Sequence, residues 1–81
     1  MTRKHHYLKT ETRFYQAVEH GIKRFDLRKN DRDYQIGDII HLQETVNTIY
    51  TGRTIFQLEI RYILFSEDIP GLEKDYCILQ F

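Results

Sequence analysis

The stretch Gly21-Ile22-Lys23-Arg24-Phe25-Asp26-Leu27-Arg28-Lys29-Asn30-Asp31-Arg32 holds the end of one element, the whole of a second and the loop after it. From Ile22 to Arg28 the side chains alternate, with Ile22, Arg24, Asp26 and Arg28 on one side and Lys23, Phe25 and Leu27 on the other. A period of two is the strand period, so the segment predicts a strand whose charged side turns toward solvent or a cleft. Gly21 suits the C′ position of a preceding helix, where a left-handed backbone carries no Cβ penalty. The polar run Lys29 to Asp33 reads as a loop, because Asn and Asp side chains bond their own backbone.

Toward the N-terminus, Phe14, Ala17 and Val18 stand at i, i+3 and i+4 and predict a helix over Glu11 to His20. Thr10 is its candidate cap, and Glu11 suits the positive end of the helix dipole. His6 to Thr10 alternates and predicts a first short strand. Toward the C-terminus, Gly37-Asp38 predicts a turn into a strand over Ile39 to Leu42, Glu44 to Thr48 is polar, and Tyr50-Thr51-Gly52-Arg53 predicts a second turn. Thr54 to Phe65 is rich in strand formers and long enough to bend around a barrel corner. A loop from Ser66 to Lys74, with Pro70-Gly71, leads to a last strand over Tyr76 to Phe81. One helix after the first strand and about five strands predict a single α+β domain over residues 1–81. A small β-barrel is the favoured closure, since closing the sheet removes its edges.

A chain of 81 residues with 41% hydrophobic residues builds one core, and domains of this size bury roughly 60% of their unfolded surface. Twelve Lys and Arg balance twelve Asp and Glu, so whole-molecule attraction to a polyanion is absent. The distribution is uneven. Residues 1–32 hold nine bases against four acids, a net of +5, and residues 33–81 hold three bases against eight acids, a net of −5. A single cysteine, Cys77, excludes an intramolecular disulfide and a multi-cysteine zinc site, which fits a reducing, cytoplasmic setting. The apolar runs are far shorter than the roughly 20 residues of a membrane helix, so no membrane partner is expected. The basic segment Met1 to His6 is not followed by the apolar region of a secretory signal.

Ser66 is the only serine, and neither a phosphate-binding glycine pattern nor HExxH nor GxSxG occurs. His5, His6, His20 and His41 are irregularly spaced and read as surface residues, with His5-His6 in a loose terminus, so no metal and no cofactor is expected. Cys77 lies in an apolar strand and reads as a small buried hydrophobe.

The constellation Gly21-x-Lys23-x-x-Asp26-x-Arg28-Lys29-Asn30-Asp31-Arg32, leading to Gly37-Asp38, stands with His6-x-Leu8-Lys9 before the helix and Tyr50-Thr51-Gly52-Arg53 after it. Together these resemble the ASCH-like branch of the PUA-like fold, and most closely a bacterial and phage family of small ASCH-related proteins. The resemblance runs from about His6 to Ile78. It implies a small β-barrel, a cleft beside the first helix lined by the motif, and an RNA or nucleotide ligand. In that reading Arg28 offers a planar fork to phosphate or a base edge, and Lys23 offers a mobile point charge. Asp26 pairs with Arg28 or accepts from a base amino group. Lys9, Lys29, Arg32 and Arg53 complete the basic set, and Tyr50, Tyr7 or Tyr34 stack on an unpaired base, worth roughly 1–3 kcal/mol per base. For Tyr7 and Tyr34 the other reading is a core aromatic, and for the charged strand it is a solvated face of ion pairs worth about 0–1 kcal/mol each. Gly37 and Asp38 shape a turn, while Asn30 and Asp31 lock the loop that presents Arg28 and Arg32.

Two other readings stay open. Some small ASCH relatives are amidohydrolases acting on acylated cytidine, using a Lys and a Thr of this motif with a downstream Glu. Here Lys23 matches the lysine as general base, Asp26 stands in place of the threonine, and Glu67 or Glu73 would have to replace the glutamate. The third reading is a protein-interaction domain that uses an exposed strand edge.

Overall fold

The structure, a computed structural model, describes residues 3–81. Met1 and Thr2, the start of the basic segment, lie outside the described residues. The elements run β1 (His5–Glu11), α1 (Thr12–Glu19), β2 (Phe25–Lys29), β3 (Ile39–Val46), β4 (Ile49–Glu59), β5 (Tyr62–Phe65) and β6 (Tyr76–Gln80). They form two three-stranded sheets, ordered β1-β3-β4 and β2-β6-β5. β1 runs parallel to β3, and the other pairings are antiparallel.

The expected α+β barrel is therefore corrected: the described residues form a helix-poor β domain with two open sheets and no closed barrel. The reason lies at the edges. Hydrogen bonds from Phe81 N to Arg24 O (3.0 Å) and from Asn30 N to Asp75 O (2.7 Å) fix the β2-β6 ladder. Amide groups alternate direction along a strand, so residues 24, 26, 28 and 30 point toward β6 and residues 25, 27 and 29 point away from it. Among the described residues no strand takes up that outer edge, and β1 and β2 are each the free edge of a sheet.

β1 follows the alternation read from sequence, with His6, Leu8 and Thr10 buried and their neighbours exposed. The helix starts one residue later than expected and is not capped by Thr10, which stays in β1; Glu11 is the N-cap and makes no side-chain cap bond. The expected apolar face also divides. Tyr15 is the buried helix residue, Val18 packs on the core, and Phe14 stays exposed. Gly21 ends the helix at φ +75°, as anticipated. Ile22 and Lys23 still donate to Ala17 O at 2.9 and 3.0 Å, which delays β2 until Phe25.

β3 extends past Leu42 through Glu44 and Thr45, both buried, because their polar groups find partners in β1, α1 and β4. The hairpin turn falls at Asn47 and Thr48, with φ of +49° and +68°, rather than at Tyr50 to Arg53. Positive φ at both central residues matches the right-handed strand twist. Tyr50 to Arg53 instead lies in β4, where the register slips between Gln43 and Thr45. A second slip between Ile40 and Leu42 accompanies Gln57 at φ +64°.

The long strand expected over Thr54 to Phe65 is broken at Ile60 and Arg61. Ile60 exchanges backbone bonds with Gly37 and Asp38, both 2.8 Å, and Arg61 N then donates to Gln80 O at 2.7 Å. The chain thus passes from one sheet to the other within two residues. Leu8, Ile40 and Leu42 from the first sheet, Ile63, Cys77 and Leu79 from the second, and Ile60 and Tyr34 between them make one buried core. The helix α1 has eight residues, and no helix of the described residues is long and apolar enough to cross a membrane.

Candidate functional site

Between the facing edges of β1 and β2 lies a cleft of about 790 Å³. It is lined by Lys9, Thr10 and Glu11 of β1, Phe14 of α1, Lys23 and Phe25 to Lys29, Asp31, Arg32 and Tyr34 of the following loop, and Tyr76 of β6. Cationic side chains, not a neighbouring strand, donate to three of the carbonyls along this seam. Arg28 Nη2 donates to Lys9 O at 2.6 Å, Arg32 Nη1 to Tyr7 O at 3.2 Å, and Lys23 Nζ to Phe25 O at 2.6 Å.

Asp26 organises two of these cations. It is 5% exposed, so its charge requires partners. Its Oδ1 lies 3.3 Å from Lys23 Nζ, and its Oδ2 accepts from Arg28 Nε. Arg28 is thus held at two points, by its own strand and by the opposite edge. Lys23 is held as well, between Asp26, the Phe25 carbonyl and the rings of Phe14 and Phe25, whose centroids are 5.5 and 5.0 Å away. Lys23 Nζ is thus engaged on several sides rather than standing free in the cleft. Glu67 and Glu73 are not among the residues that line the cleft.

Lys9, Lys29 and Arg32 are exposed, and among the described residues none of the three has a carboxylate at salt-bridge distance. Five basic residues line the cleft against three acidic ones, Glu11, Asp26 and Asp31. The walls are Phe14, Phe25, Leu27 and Tyr76, with Tyr34 as a buried floor. Burial pushes the Tyr34 hydroxyl up, and burial likewise pushes up the thiol of Cys77, which pairs with Arg28 across the ladder. Cys77 is the buried hydrophobe expected from its strand.

Of the residues singled out from sequence, Lys9, Lys23, Asp26, Arg28, Lys29 and Arg32 come together here. Tyr50 and Arg53 do not. Tyr50 Oη bonds Thr54 Oγ1 at 2.6 Å on β4. Arg53 pairs with Glu19 and stands 3.8 Å from Glu44, over the ring of Tyr15. Glu44, 4% exposed, accepts from Thr12 Oγ1 and Thr51 Oγ1, both at 2.7 Å, and these bonds hold its carboxyl below the usual range. This second polar cluster ties α1 to the β3-β4 hairpin.

Three expectations about rings and turns change. Tyr7 is exposed rather than core, stacked on His41 at 4.6 Å. His5 and His6 are strand residues, not a loose end: parallel pairing with β3 orders them, and His6 Nε2 lies 2.9 Å from Asp38 Oδ2 in the interior. His41 is likewise buried, not a surface residue. Asp38 shapes its turn as expected, also accepting from Gln35 N at 3.1 Å and Lys4 N at 3.3 Å. The cleft loop is fixed by backbone bonds of Asn30 and Asp31, to Asp75 O and Lys29 O. Of the rings that line the cleft, Tyr34 is named from the sequence, as a stacking or core aromatic, but Phe14, Phe25 and Tyr76 are not named as contacts. For Phe25 the signal was present, since it shares the alternation side of Lys23. Among the described residues no group of three or more His, Cys, Asp or Glu side chains is placed to hold a metal ion.

The fold and the site define a small two-sheet β domain whose open seam is a basic, aromatic cleft. The chain belongs to the family described as Domain of unknown function (DUF3850), whose model matches residues 5–81. It is similar to the "Uncharacterized 12.9 kDa protein in GpA 3′ region" of Escherichia phage P2, with 38% identity over 79 residues, 98% of this chain and 69% of the phage protein.

Proposed function

We propose that the seam cleft binds a short single-stranded RNA or a nucleotide. The observation that carries this reading is the meeting of five basic side chains with three aromatic rings at one opening, in a chain of zero net charge. Arg28 and Lys23 are engaged in holding the cleft walls, which leaves Lys9, Lys29 and the remaining donors of Arg32 for phosphate. Tyr76 and the side of Phe25 away from Lys23 offer faces on which any base stacks, while the Arg13 guanidinium covers Phe14 at 4.4 Å. The volume lies within the roughly 300–1,000 Å³ range of ligand sites, enough for one or two nucleotides. The resemblance of the Gly21–Arg32 motif to the ASCH-like branch supports the same ligand class.

The test is fluorescence anisotropy of a labelled octauridylate titrated with the 81-residue chain. Binding that weakens as salt rises from about 50 to about 200 mM, and that falls further in Lys9→Ala/Lys29→Ala, supports the reading. Absence of binding, or indifference to that double substitution, overturns it.

A further inference from the structure

The β2-β6-β5 sheet has two unlike faces. Asp26, Cys77, Leu79 and Ile63 turn inward and are buried. Residues one position away turn outward, and this outer face is apolar: Phe25 is 48% exposed, Leu27 and Tyr62 are each 54% exposed. The helix packs on β1 and β3, on the other sheet. Register places Gln80 between Phe25 and Tyr62, as the partner of both. With strands about 4.8 Å apart, the two rings stand about 10 Å apart with an amide side chain between them.

Phe25 belongs to this row and to the cleft at once. A cation also stands beside the row: exposed Arg61 immediately precedes Tyr62, and its N donates to Gln80 O at 2.7 Å, whereas Arg24 lies on the Asp26 side of β2. The acids of the Ser66 to Asp75 loop lie at the opposite end of β5 and β6. A polyanion crossing this face is therefore drawn along the Phe25–Gln80–Tyr62 row and away from the loop.

We propose that a single-stranded RNA held in the cleft continues over this row, one base stacking on Phe25 and the next on Tyr62, with a phosphate on Arg61. The inference rests on the nucleic-acid reading of the cleft and extends it from a nucleotide pocket to a strand path. Aromatic side chains on an exposed sheet face suit unpaired bases, because every base offers a π-face and Gln80 offers both a donor and an acceptor to a base edge.

The experiment compares a labelled octauridylate with uridine 5′-monophosphate on wild type, Tyr62→Ala, Tyr62→Phe and Lys9→Ala. Tyr62→Ala is expected to weaken the octamer roughly fivefold to hundredfold, to leave the mononucleotide unchanged, and to be rescued by Tyr62→Phe, which keeps the ring. Unaltered mononucleotide binding also reports that the variant is folded. If Tyr62→Ala binds the octamer as wild type does while Lys9→Ala weakens it, the path is overturned and the cleft stands. Equal loss of both probes in Tyr62→Ala likewise overturns the path. No binding of either probe by wild type overturns the cleft reading, and the path with it. A concentration-dependent dimer that Tyr62→Ala disperses, with octamer binding intact, assigns the face to a second copy of the chain and overturns the proposal.

Discussion

Arg28 on β2 donates across the seam to the main-chain oxygen of Lys9 on β1 at 2.6 Å while its Nε is held by Asp26 on its own strand. One planar side chain thus joins two sheet edges that no backbone ladder joins. Removing it leaves Asp26 buried with Lys23 alone and leaves an edge carbonyl without its donor. Truncating one partner of a buried ion pair costs about 3–5 kcal/mol when nothing replaces it, and with Lys23 retained Arg28→Ala is expected to cost about 2–3 kcal/mol. At a urea m-value of about 1 kcal/mol/M for so small a domain, the midpoint falls by about 2–3 M. Arg28→Lys is expected to recover little of this, since an ammonium has no fork to reach both acceptors. Urea titrations of the two variants check it; a midpoint within about 0.5 M of wild type for Arg28→Ala contradicts the clamp.

Arg53, chosen from sequence as a nucleic-acid contact, sits in the cluster of Glu19, Glu44 and Tyr15 instead. Arg53→Ala is therefore expected to leave octauridylate affinity within about twofold of wild type, well under the 1.4 kcal/mol that a tenfold change represents. The same substitution is expected to lower the thermal midpoint, because Glu44 keeps only its two threonine donors. Measuring affinity and melting on one preparation separates the roles, and a tenfold loss of affinity contradicts this placement.

The local pattern was more legible than the closure. Alternation in His6 to Thr10 and in Phe25 to Arg28 reported strands because each has one face in the core, and Gly21 reported the helix end because its backbone needs positive φ. Polarity misled at Glu44 and Thr45, since burial there depends on donors from Thr12 and Thr51 and on the carbonyl of Thr10, distant in sequence. Closure misled for the same reason: whether β1 meets β2 is decided by where Arg28 and Arg32 find carbonyls, which no period in the sequence encodes. The cleft cations were legible as a motif, but Tyr50 and Arg53 were drawn in by a turn that lies elsewhere.

Acid is expected to destabilise the domain in two separate windows. His41 Nδ1 accepts from Gln57 N at 3.2 Å, so its proton sits on Nε2 and is donated to His5 Nδ1 at 2.8 Å. Burial first, and the neighbouring His5 second, hold His41 below its ordinary value of 6.5. The unfolded chain then binds more protons than the folded one as pH drops below 6.5, so stability is full above that pH and declines below it. For Asp38, burial pushes the carboxyl up, but the bonds from His6 and from the Gln35 and Lys4 amides outweigh it and hold the group below 3.8. Its contribution is present above 3.8 and is lost only as pH falls through the lower folded value. Urea midpoints between about pH 8 and about pH 5 are expected to fall for wild type and to fall less for His41→Phe. An equal fall in both removes His41 from the first window.

Salt dependence distinguishes the cations that clamp from those that remain free. Each phosphate neutralised on a single strand contributes about −0.7 to the slope of log affinity against log salt. Lys9, Lys29 and Arg32 together are thus expected to give a slope of about −2 for octauridylate restricted to the cleft, and Arg61 to steepen it to about −2.8 if the strand path is followed. Lys9→Ala and Lys29→Ala are each expected to reduce the slope by about 0.7 without moving the urea midpoint, since neither side chain bonds the seam. Lys23→Ala is expected to do the reverse, lowering the midpoint while changing the slope little, because its ammonium is held by Asp26 and the Phe25 carbonyl at 2.6 Å. A slope that drops as far for Lys23→Ala as for Lys9→Ala would show that Lys23 leaves its clamp to meet phosphate, and that the cleft rearranges on binding.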